Sequence, residues 1–234
     1  MITQCDERAV LDKGYVKLLS MTPHDRTGDE AVVSAARVSF AEGSKGEEKD
    51  RKLLRYLIQH KHTSPFEHVV YTFEVKAPAL VWWQWVRHRM WSYNFVSGRY
   101  VDHDEDEVYV PNVWRAQSKT NRQGSNGLIE TEMQQIVKEE MESVVEFGFR
   151  KYQRLLWWGV AREQARLVLP AWALYYRAIC TVDLHNLMHF VRLRTGEDAQ
   201  WEIAQYAHAL WSLVRDTVPW IAEEFENDLE RQED

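Results

Sequence analysis

Helix-like and strand-like patterns are unevenly distributed along this chain, and their distribution is what most restricts its fold. Strand-like segments, rich in β-branched and aromatic residues, occur only early, at 15–19 and 69–75. From residue 128 onward the apolar residues recur with helical spacing. The expected helices cover 128–158, positions near 162, 172 and 184, and 199–226, where Pro219 kinks or divides the last one. We therefore expect one domain, residues 1–234, with a helix-rich α/β (α+β) fold around a small sheet of mixed or antiparallel strands.

The first half of the chain also contains helical segments. Residues 29–38 predict a helix with Asp29 as its N-cap, and 47–60 predict a second helix. Pro78 suits the first turn of a third helix, which we expect to run to about Met90. A polar connection follows at 101–127, and loops of such length are usually functional or mobile.

Charge, hydropathy and cysteine content argue against several classes of protein. The net charge is −7 and there is no basic stripe, so a nucleic-acid-binding protein is not expected. No apolar run approaches the roughly 20 residues that span a bilayer, and no signal region accompanies the acidic Asp6-Glu7 pair. Cys5 and Cys180 provide no disulfide framework. We expect a cytoplasmic protein that uses neither membrane nor nucleic acid.

The chain lacks the short motifs of phosphate loops, zinc proteases and serine hydrolases. His60, His62 and His68 are close in sequence, but they span a helix end, a proline loop and a strand start without acidic or cysteine partners. His185 and His189 are four apart on a helix and suit structural or ligand-contacting roles better than chelation. No metal site is predicted.

Residues 84–100 contain the densest set of chemically useful side chains. On the expected helix, three of them share one face: Gln84, Arg87 and His88. A loop then delivers three more: Ser97, Gly98 and Arg99. Arginine, histidine, a hydroxyl and glycine in so short a span suit a phosphate and a planar heterocycle. The alternative is a solvated basic face at a helix C-terminus, which composition alone favours.

The order of these residues matches a known signature. Arg87-His88-Arg89, seven residues and then Ser97 resembles the Arg-His-Arg-x7-Ser signature of flavin-dependent thymidylate synthases, the thymidylate synthase complementing protein family. Ser97-Gly98-Arg99-Tyr100 continues the resemblance. Further family-like segments occur in the right order between about residue 11 and about residue 225: Leu11 to Gly14, Ala35 to Phe40, Ser64 to His68, Ala165 to Pro170, Asp183 to Arg194 and Ala199 to Ile203.

The resemblance implies an enzyme that methylates dUMP to dTMP. Methylenetetrahydrofolate would be the one-carbon donor, and FAD reduced by NAD(P)H would be the source of hydride. The resemblance also implies a homotetramer whose active sites are shared between subunits.

The same resemblance assigns residues to ligands. Arg194 would lie against the uracil ring, where a fixed positive charge favours the N3-deprotonated, more polarised pyrimidine. Ser97 would position dUMP rather than act as a nucleophile, since no general base stands beside it in sequence. The expected dUMP contacts are Gln84, Arg87, Ser97, Gly98, Arg99, Arg166 and Arg194. The expected FAD contacts are Ser64, Arg87, His88, Arg89, Phe95, Asp183, His185 and His189.

Some of these residues have simpler alternatives. Arg166 could pair with Glu163, one helical turn away, and Arg194 could merely complement a helix dipole. His62 is a weaker candidate for folate binding or proton transfer. On the helix that contains Arg194 we expect a ligand-facing line and an apolar stripe. The line is Asp183, Asn186, Phe190 and Arg194, and the stripe is Leu184, Leu187, Met188 and Val191.

The chain departs from the family pattern at a few positions. Phe95 stands where some members carry glutamate, so a ligand contact there is limited to backbone or stacking. Ser64 stands where threonine is common, and Glu197-Asp198 add negative charge after Arg194. These differences leave open a shifted nucleotide preference, such as dCMP. Two other classes are alternatives: a nucleic-acid-binding module that uses arginine and tryptophan, and a structural oligomer built on the tryptophan clusters.

Overall fold

Seven strands and eight α-helices make up the part of the chain that the structure, a computed structural model, describes: residues 6–119 and 124–233. The strands are β1 (Glu7–Val10), β2 (Gly14–Thr22), β3 (Val70–Pro78), β4 (Ser92–Phe95), β5 (Arg115–Gln117), β6 (Ser125–Leu128) and β7 (Tyr175–Asp183). The helices are α1 (Gly28–Arg37), α2 (Glu47–Gln59), α3 (Ala79–Trp85), α4 (Thr131–Trp157), α5 (Arg162–Ala165), α6 (Leu184–Thr195), α7 (Trp201–Val214) and α8 (Pro219–Glu233).

The main sheet has five strands in the order β1, β2, β3, β7, β4, and β5 and β6 form a separate hairpin. Every pair is antiparallel. The longest unbroken register joins β3 to β7, from Val70 opposite Asp183 to Pro78 opposite Tyr175. The helix-rich fold is confirmed, and of the two expected sheet types the antiparallel one is present.

Five strands lie where the sequence analysis predicted none: β1, β4, β5, β6 and β7. In β7 alternate side chains are buried (Ala178, Cys180 and Val182), which is the two-residue period of a strand. The helix expected near residue 172 is therefore wrong, because the chain turns there and the Trp172 carbonyl accepts a hydrogen bond of 3.0 Å from the Leu80 N–H. Part of the loop expected between the third helix and Ser97 is instead β4, at the edge of the sheet.

Most other predicted elements are confirmed with small shifts. The strands at 15–19 and 69–75 correspond to β2 and β3, and the long helix after residue 128 is α4. Pro219 divides the last helical region, since α8 begins at that residue. The polar connection at 101–127 contains a 3-10 turn and the β5–β6 hairpin; residues 120–123 within it lie outside the described chain.

Asp29 has a different role from the one predicted. The N-cap of α1 is Thr27, which exchanges hydrogen bonds with Glu30 in a capping box. Asp29 is buried and accepts hydrogen bonds from the backbone N–H groups of Trp220 (2.9 Å) and Ile221 (3.0 Å). It thus caps the first turn of α8, where a carboxylate also complements the helix dipole.

Two apolar clusters hold these elements together. In the larger one α7 lies against β1 and β2, α6 packs on α7, and α8 packs on α2. The smaller cluster joins the middle of α4, around Phe149 and Tyr152, to the segment that leads into β7. Cys180 is a free thiol buried in β7, while Cys5 lies outside the described residues.

None of the helices in the described chain is both long enough and apolar enough to cross a membrane. Among the same residues, no group of three or more histidine, cysteine, aspartate or glutamate side chains is arranged to hold a metal ion. His60 and His62 instead pack around Tyr56, with His60 stacked on the tyrosine ring at a centroid distance of 4.0 Å.

The cap of α8 can be tested by replacing Asp29 with alanine. The substitution leaves two buried N–H groups without an acceptor, and we expect it to lower the free energy of unfolding by about 2 kcal/mol. Urea unfolding followed by circular dichroism measures the change. Asp25→Ala, at an exposed position, is the matched control; equal stability of the two variants would contradict the cap.

Candidate active site

The segment from Gln84 to Arg99 is built as a helix end, a turn and a strand, and not as one long helix. α3 ends at Trp85 because Trp82 and Trp85 are buried in the core and the chain then reverses. The Tyr93 hydroxyl, on β4, shares its one proton between the carbonyls of Trp85 (3.1 Å) and His88 (3.0 Å), which fixes the reversal. The shared helical face expected for Gln84, Arg87 and His88 is therefore wrong.

This turn gives three adjacent residues different environments. The side chains of Arg87 and Arg89 are exposed, whereas His88 is half-buried. The His88 ring packs edge-on against Phe190 at 4.8 Å and lies 6.0 Å from the His189 ring. The turn therefore presents two arginines to solvent and one histidine to α6.

Arg194, in the last turn of α6, reaches across to the end of α3. Its Nε donates to Nε2 of His88 at 3.0 Å, and its Nη2 donates to the backbone carbonyl of Gln84 at 3.3 Å. Arg194 is partly buried, and burial lowers the pKa of its guanidinium, which still stays charged. The alternative in which Arg194 complements only its own helix dipole does not describe these contacts.

Burial of the His88 ring and the charge of Arg194 determine the protonation state of His88. Burial, followed by the nearby Arg194 and His189, lowers the pKa of His88 to about 4. His88 is therefore neutral near pH 7, and since its Nε2 accepts from Arg194, its Nδ1 holds the proton. Burial, the neighbouring His185 and two arginines also lower the pKa of His189.

The other half of α6 does not form the ligand-facing line that the sequence analysis predicted. Phe190 is fully buried in the core. Asp183 is the N-cap of the helix and accepts from the Asn186 backbone N–H (2.9 Å) and from its side-chain amide (2.7 Å). The apolar stripe is confirmed, because all four of its members are buried: Leu184, Leu187, Met188 and Val191.

A second cluster forms where the chain leaves β4. The Ser97 hydroxyl accepts from the Arg99 N–H at 3.3 Å and so shapes the turn. Gly98 lies so close to its neighbours that an added Cβ would be 2.7 Å from His103 Nε2 and 3.1 Å from Arg166 Nη1. Ser97, Gly98, Arg99 and Arg166 are thus brought together.

The ion pairs of this second cluster argue against the alternative in which Arg166 pairs with Glu163. Glu163 pairs with Arg99, with 3.4 Å between Oε2 and Nε, and the described chain contains no Arg166–Glu163 pair. Arg166 instead lies beside Gly98 and His103. Its fork of donors therefore remains available to an anion.

Beside Gly98 a cavity of about 400 Å³ opens toward β2, β3 and β7, where Tyr15, Lys76, Tyr176 and Arg177 line it. A cavity of about 470 Å³ lies on the other side of His103 against α4, and none of the predicted ligand residues lines it.

The two clusters lie at opposite ends of β4. His88, with Arg194 bonded to it, lies at the N-terminal end of the strand, and the Ser97 turn lies at its C-terminal end. The Cα atoms of Ser92 and Phe95, which bound β4, are roughly 10 Å apart at strand rise. The described chain therefore holds its candidate residues in two groups, not in one pocket.

The remaining predicted ligand residues lie around the start of α6 or on β4. Ser64 begins a 3-10 turn that packs against α6, and His185 and His189 lie on that helix. Phe95 is partly exposed and meets Trp82 edge-on at 4.8 Å. Because its ring is partly exposed, stacking is the interaction that the Phe95 side chain can offer to a ligand.

Three residues near the site were not predicted to have a role. His103 lies in the polar connection, where nothing in the sequence pattern distinguishes it. Gln200 and Glu202 lie in a family-like segment but had no assigned function, and both form hydrogen bonds in a network that ends at Gln84. Only the fold relates them to Gln84, because they are far apart in sequence.

Comparison with known proteins gives a consistent result. Residues 17–220 match the family described as Thymidylate synthase complementing protein. The chain is 46% identical over 221 residues to a flavin-dependent thymidylate synthase from Thermus thermophilus, covering 94% of this chain and 78% of that protein. It is 41% identical to a protein of the same description from Thermosipho africanus, covering 94% and 93% of the two chains.

Among solved structures, the fold is similar to that of the UMP/dUMP methylase PolB from Streptomyces cacaoi bound with 5-Br dUMP. The TM-score is 0.82 with 33% sequence identity, and the match covers 94% of this chain and 97% of that one.

The state of His88 leads to a testable pH dependence in the ligand-free protein. Its pKa is about 4 when folded against an ordinary 6.5. Its contribution to stability is therefore complete above pH 6.5 and is lost as the pH falls toward 4. From pH 7 to pH 5 we expect a loss of about 1 kcal/mol from this residue, after discounting for its half exposure.

Urea unfolding at both pH values, compared between the wild type and His88→Gln, isolates this contribution because glutamine keeps an acceptor but cannot titrate. Histidine NMR signals report the pKa directly. A His88 signal that titrates near 6.5 in the folded protein would show that the assignment is wrong.

Proposed function

Because the chain belongs to the thymidylate synthase complementing protein family, we propose that it methylates dUMP to dTMP, with FAD, methylenetetrahydrofolate and NAD(P)H. The observation that most supports this proposal is the placement of the two ends of the Arg-His-Arg-x7-Ser motif. Its start meets Arg194 and its end meets Arg166. A cationic group at each end suits a nucleotide that has a polar ring and a phosphate.

The phosphate is proposed to bind at the Ser97 turn. The overall charge of −7 repels an anion, so a local cluster is needed to hold one. Arg99 and Arg166 can each donate two hydrogen bonds to one phosphate. Gly98, which has no side chain, leaves room for the phosphate to reach them. Arg87, exposed on the turn after α3, is the third arginine proposed to contact dUMP.

The uracil ring is proposed to bind near Arg194 and Gln84. A guanidinium held against the ring stabilises negative charge on its carbonyl oxygens and at N3, which polarises the ring for addition. Neutral His88 orients Arg194 by accepting from its Nε and does not compete with it for negative charge. This arrangement makes Arg194 the residue proposed to activate the substrate.

FAD is proposed to bind around the start of α6 and the turn after α3, where it would supply the hydride once reduced. The exposed guanidiniums of Arg87 and Arg89 suit its pyrophosphate, and Ser64, His88, His185 and His189 offer polar contacts. Phe95 can stack against a ring system. Both Asp183 oxygens already bond to Asn186, so its proposed contribution is to hold the start of α6 in place.

We also propose the homotetramer with shared active sites. The separation of the two clusters at opposite ends of β4 supports it, because the phosphate cluster of one subunit could then face the Arg194 cluster of another. Exposed tryptophans, including Trp83 packed edge-on against Trp172 at 5.7 Å, supply apolar surface for contact. Light scattering at several concentrations tests the assembly.

The proposal is tested by the visible spectrum of the FAD-loaded protein, recorded before and after addition of dUMP. We expect a retained flavin spectrum that shifts with dUMP, and dTMP once reductant and folate are added. Titrations with dCMP and UMP accompany it, since Phe95 stands where some members have glutamate. A shift with dCMP alone would move the substrate to that nucleotide, and a folded protein that retains no flavin would overturn the proposal.

Ser97→Ala distinguishes positioning from nucleophilic catalysis. Ser97 bonds to a backbone N–H, and no histidine or carboxylate in the described chain forms a hydrogen bond with it. We expect dTMP formation to continue with KM for dUMP raised about three- to tenfold, the effect of one hydrogen bond. Ser143→Ala, on the exposed face of α4, is the control; complete loss of turnover with intact dUMP binding would identify Ser97 as a catalytic group.

Gly98→Ala tests the phosphate cluster by displacing its neighbours. The added methyl overlaps the His103 ring and crowds Arg166, so the guanidinium must move. We expect dUMP binding to weaken by about tenfold or more while flavin is retained. At Gly43 an added Cβ meets nothing within 4 Å, which makes Gly43→Ala the matched control; unchanged dUMP affinity in Gly98→Ala would separate this turn from the phosphate.

A further inference from the structure

A chain of hydrogen bonds runs behind Gln84 and ends at a buried carboxylate. The Gln84 side-chain amide donates to Oε1 of Gln200, and the Gln200 amide donates to Oε2 of Glu202 at 3.0 Å. The other oxygen of Glu202 accepts from Arg115 Nη2 at 2.5 Å and from the Tyr109 hydroxyl at 3.3 Å. Only 4% of Glu202 is exposed.

The carboxylate sets the direction of this chain. Burial raises the pKa of Glu202, but the hydrogen bonds from Arg115 and Gln200 outweigh burial. The net result is a pKa below the ordinary value for glutamate. Glu202 is therefore ionised and can only accept hydrogen bonds. Gln200 must turn its NH2 group toward Glu202, which leaves its carbonyl oxygen facing Gln84.

The orientation of Gln200 in turn decides that of Gln84. Facing a carbonyl oxygen, Gln84 must point its own NH2 group inward, where the second hydrogen is directed at the Leu80 carbonyl at 3.4 Å. No residue of the described chain donates to Oε1 of Gln84. A side-chain amide that could flip in isolation is thus held in one orientation.

We propose that Glu202 is a positioning residue that acts through Gln200 to hold the Gln84 amide with its carbonyl oxygen presented to the nucleotide. The inference rests on the proposed function, in which Gln84 contacts dUMP. It assigns chemistry to that contact: the matching group on the ligand is a hydrogen-bond donor, a sugar hydroxyl, because the ring of dUMP has its one N–H at N3, where Arg194 is proposed to stabilise negative charge.

The anchor of the chain is itself well held. Arg115, on β5, also donates from its Nε to the Ser125 hydroxyl on β6 at 2.9 Å, and its guanidinium lies 5.0 Å from the centroid of the Trp201 ring. Glu202 lies in the first turn of α7, where the helix dipole favours a negative charge. The β5–β6 hairpin and α7 therefore fix the carboxylate from two sides.

The test uses two substitutions at different links of the chain. Glu202→Gln removes the charge that orients Gln200, and Gln200→Ala removes the exposed link but leaves the Glu202–Arg115 pair in place. We expect each to raise the Kd of the FAD-loaded protein for dUMP and its KM by about five- to tenfold, with kcat changed less than twofold. Because both break one chain, the double variant should bind no more weakly than the single variants.

The matched control is Tyr109→Phe. It removes a hydrogen bond to Oε1 of Glu202 and leaves the Gln200 bond on Oε2 intact. We expect its dUMP affinity to stay within about twofold of the wild type. A loss as large as that of Glu202→Gln would mean that the carboxylate has only a packing role.

The outcomes separate this inference from the proposed function. If the wild type binds dUMP and Gln200→Ala binds it equally well, the inference is overturned and the proposed function stands. Losses that multiply in the double variant would also overturn it, since independent contacts behave in that way. A wild type that retains flavin but does not respond to dUMP would overturn the proposed function, and the inference with it.

Discussion

The antiparallel pairing of β3 with β7 is the constraint on which the site depends. It places the start of α6, which follows β7, beside the beginning of β3, while α3 follows the other end of β3. A helix of 12 residues extends about 18 Å. α6 therefore runs back along the sheet until Arg194, in its last turn, meets the end of α3 at Gln84 and His88.

The aromatic core beneath that meeting point determines its electrostatics. Trp85 and Trp91 pack around Phe190, and His88 lies on the same phenyl ring. The burial that this packing imposes keeps His88 neutral beside a cation, so its ring can accept a hydrogen bond and orient the guanidinium. The packing of the core therefore also determines how the Arg194 guanidinium is oriented.

The sequence predicted β2, β3 and the longer helices because their patterns are local. β4 was missed because it is short and exposed at a sheet edge, and β7 because its alternation lies inside a region that otherwise has helical spacing. The motif predicted which residues belong to the candidate site but not their arrangement. Phe190 belongs to the core, and the contact of Gln84 with Gln200 joins positions that no local pattern relates.

Composition alone could not divide the tryptophans among core, subunit interface and ligand platform. Trp82, Trp85 and Trp91 are core residues, whereas Trp83, Trp157, Trp158 and Trp172 are exposed. The exposed set explains how a chain of net charge −7 could still offer apolar surface to further copies of itself.

The most direct measurement is mass analysis of the nucleotide after the purified protein is incubated with dUMP, FAD, methylenetetrahydrofolate and NADPH. We expect a product heavier than dUMP by one CH2 group, formed only when FAD is present and lost in Arg194→Gln. Recovery of unchanged dUMP from a folded, flavin-loaded protein would contradict it, as would product formed equally well without flavin.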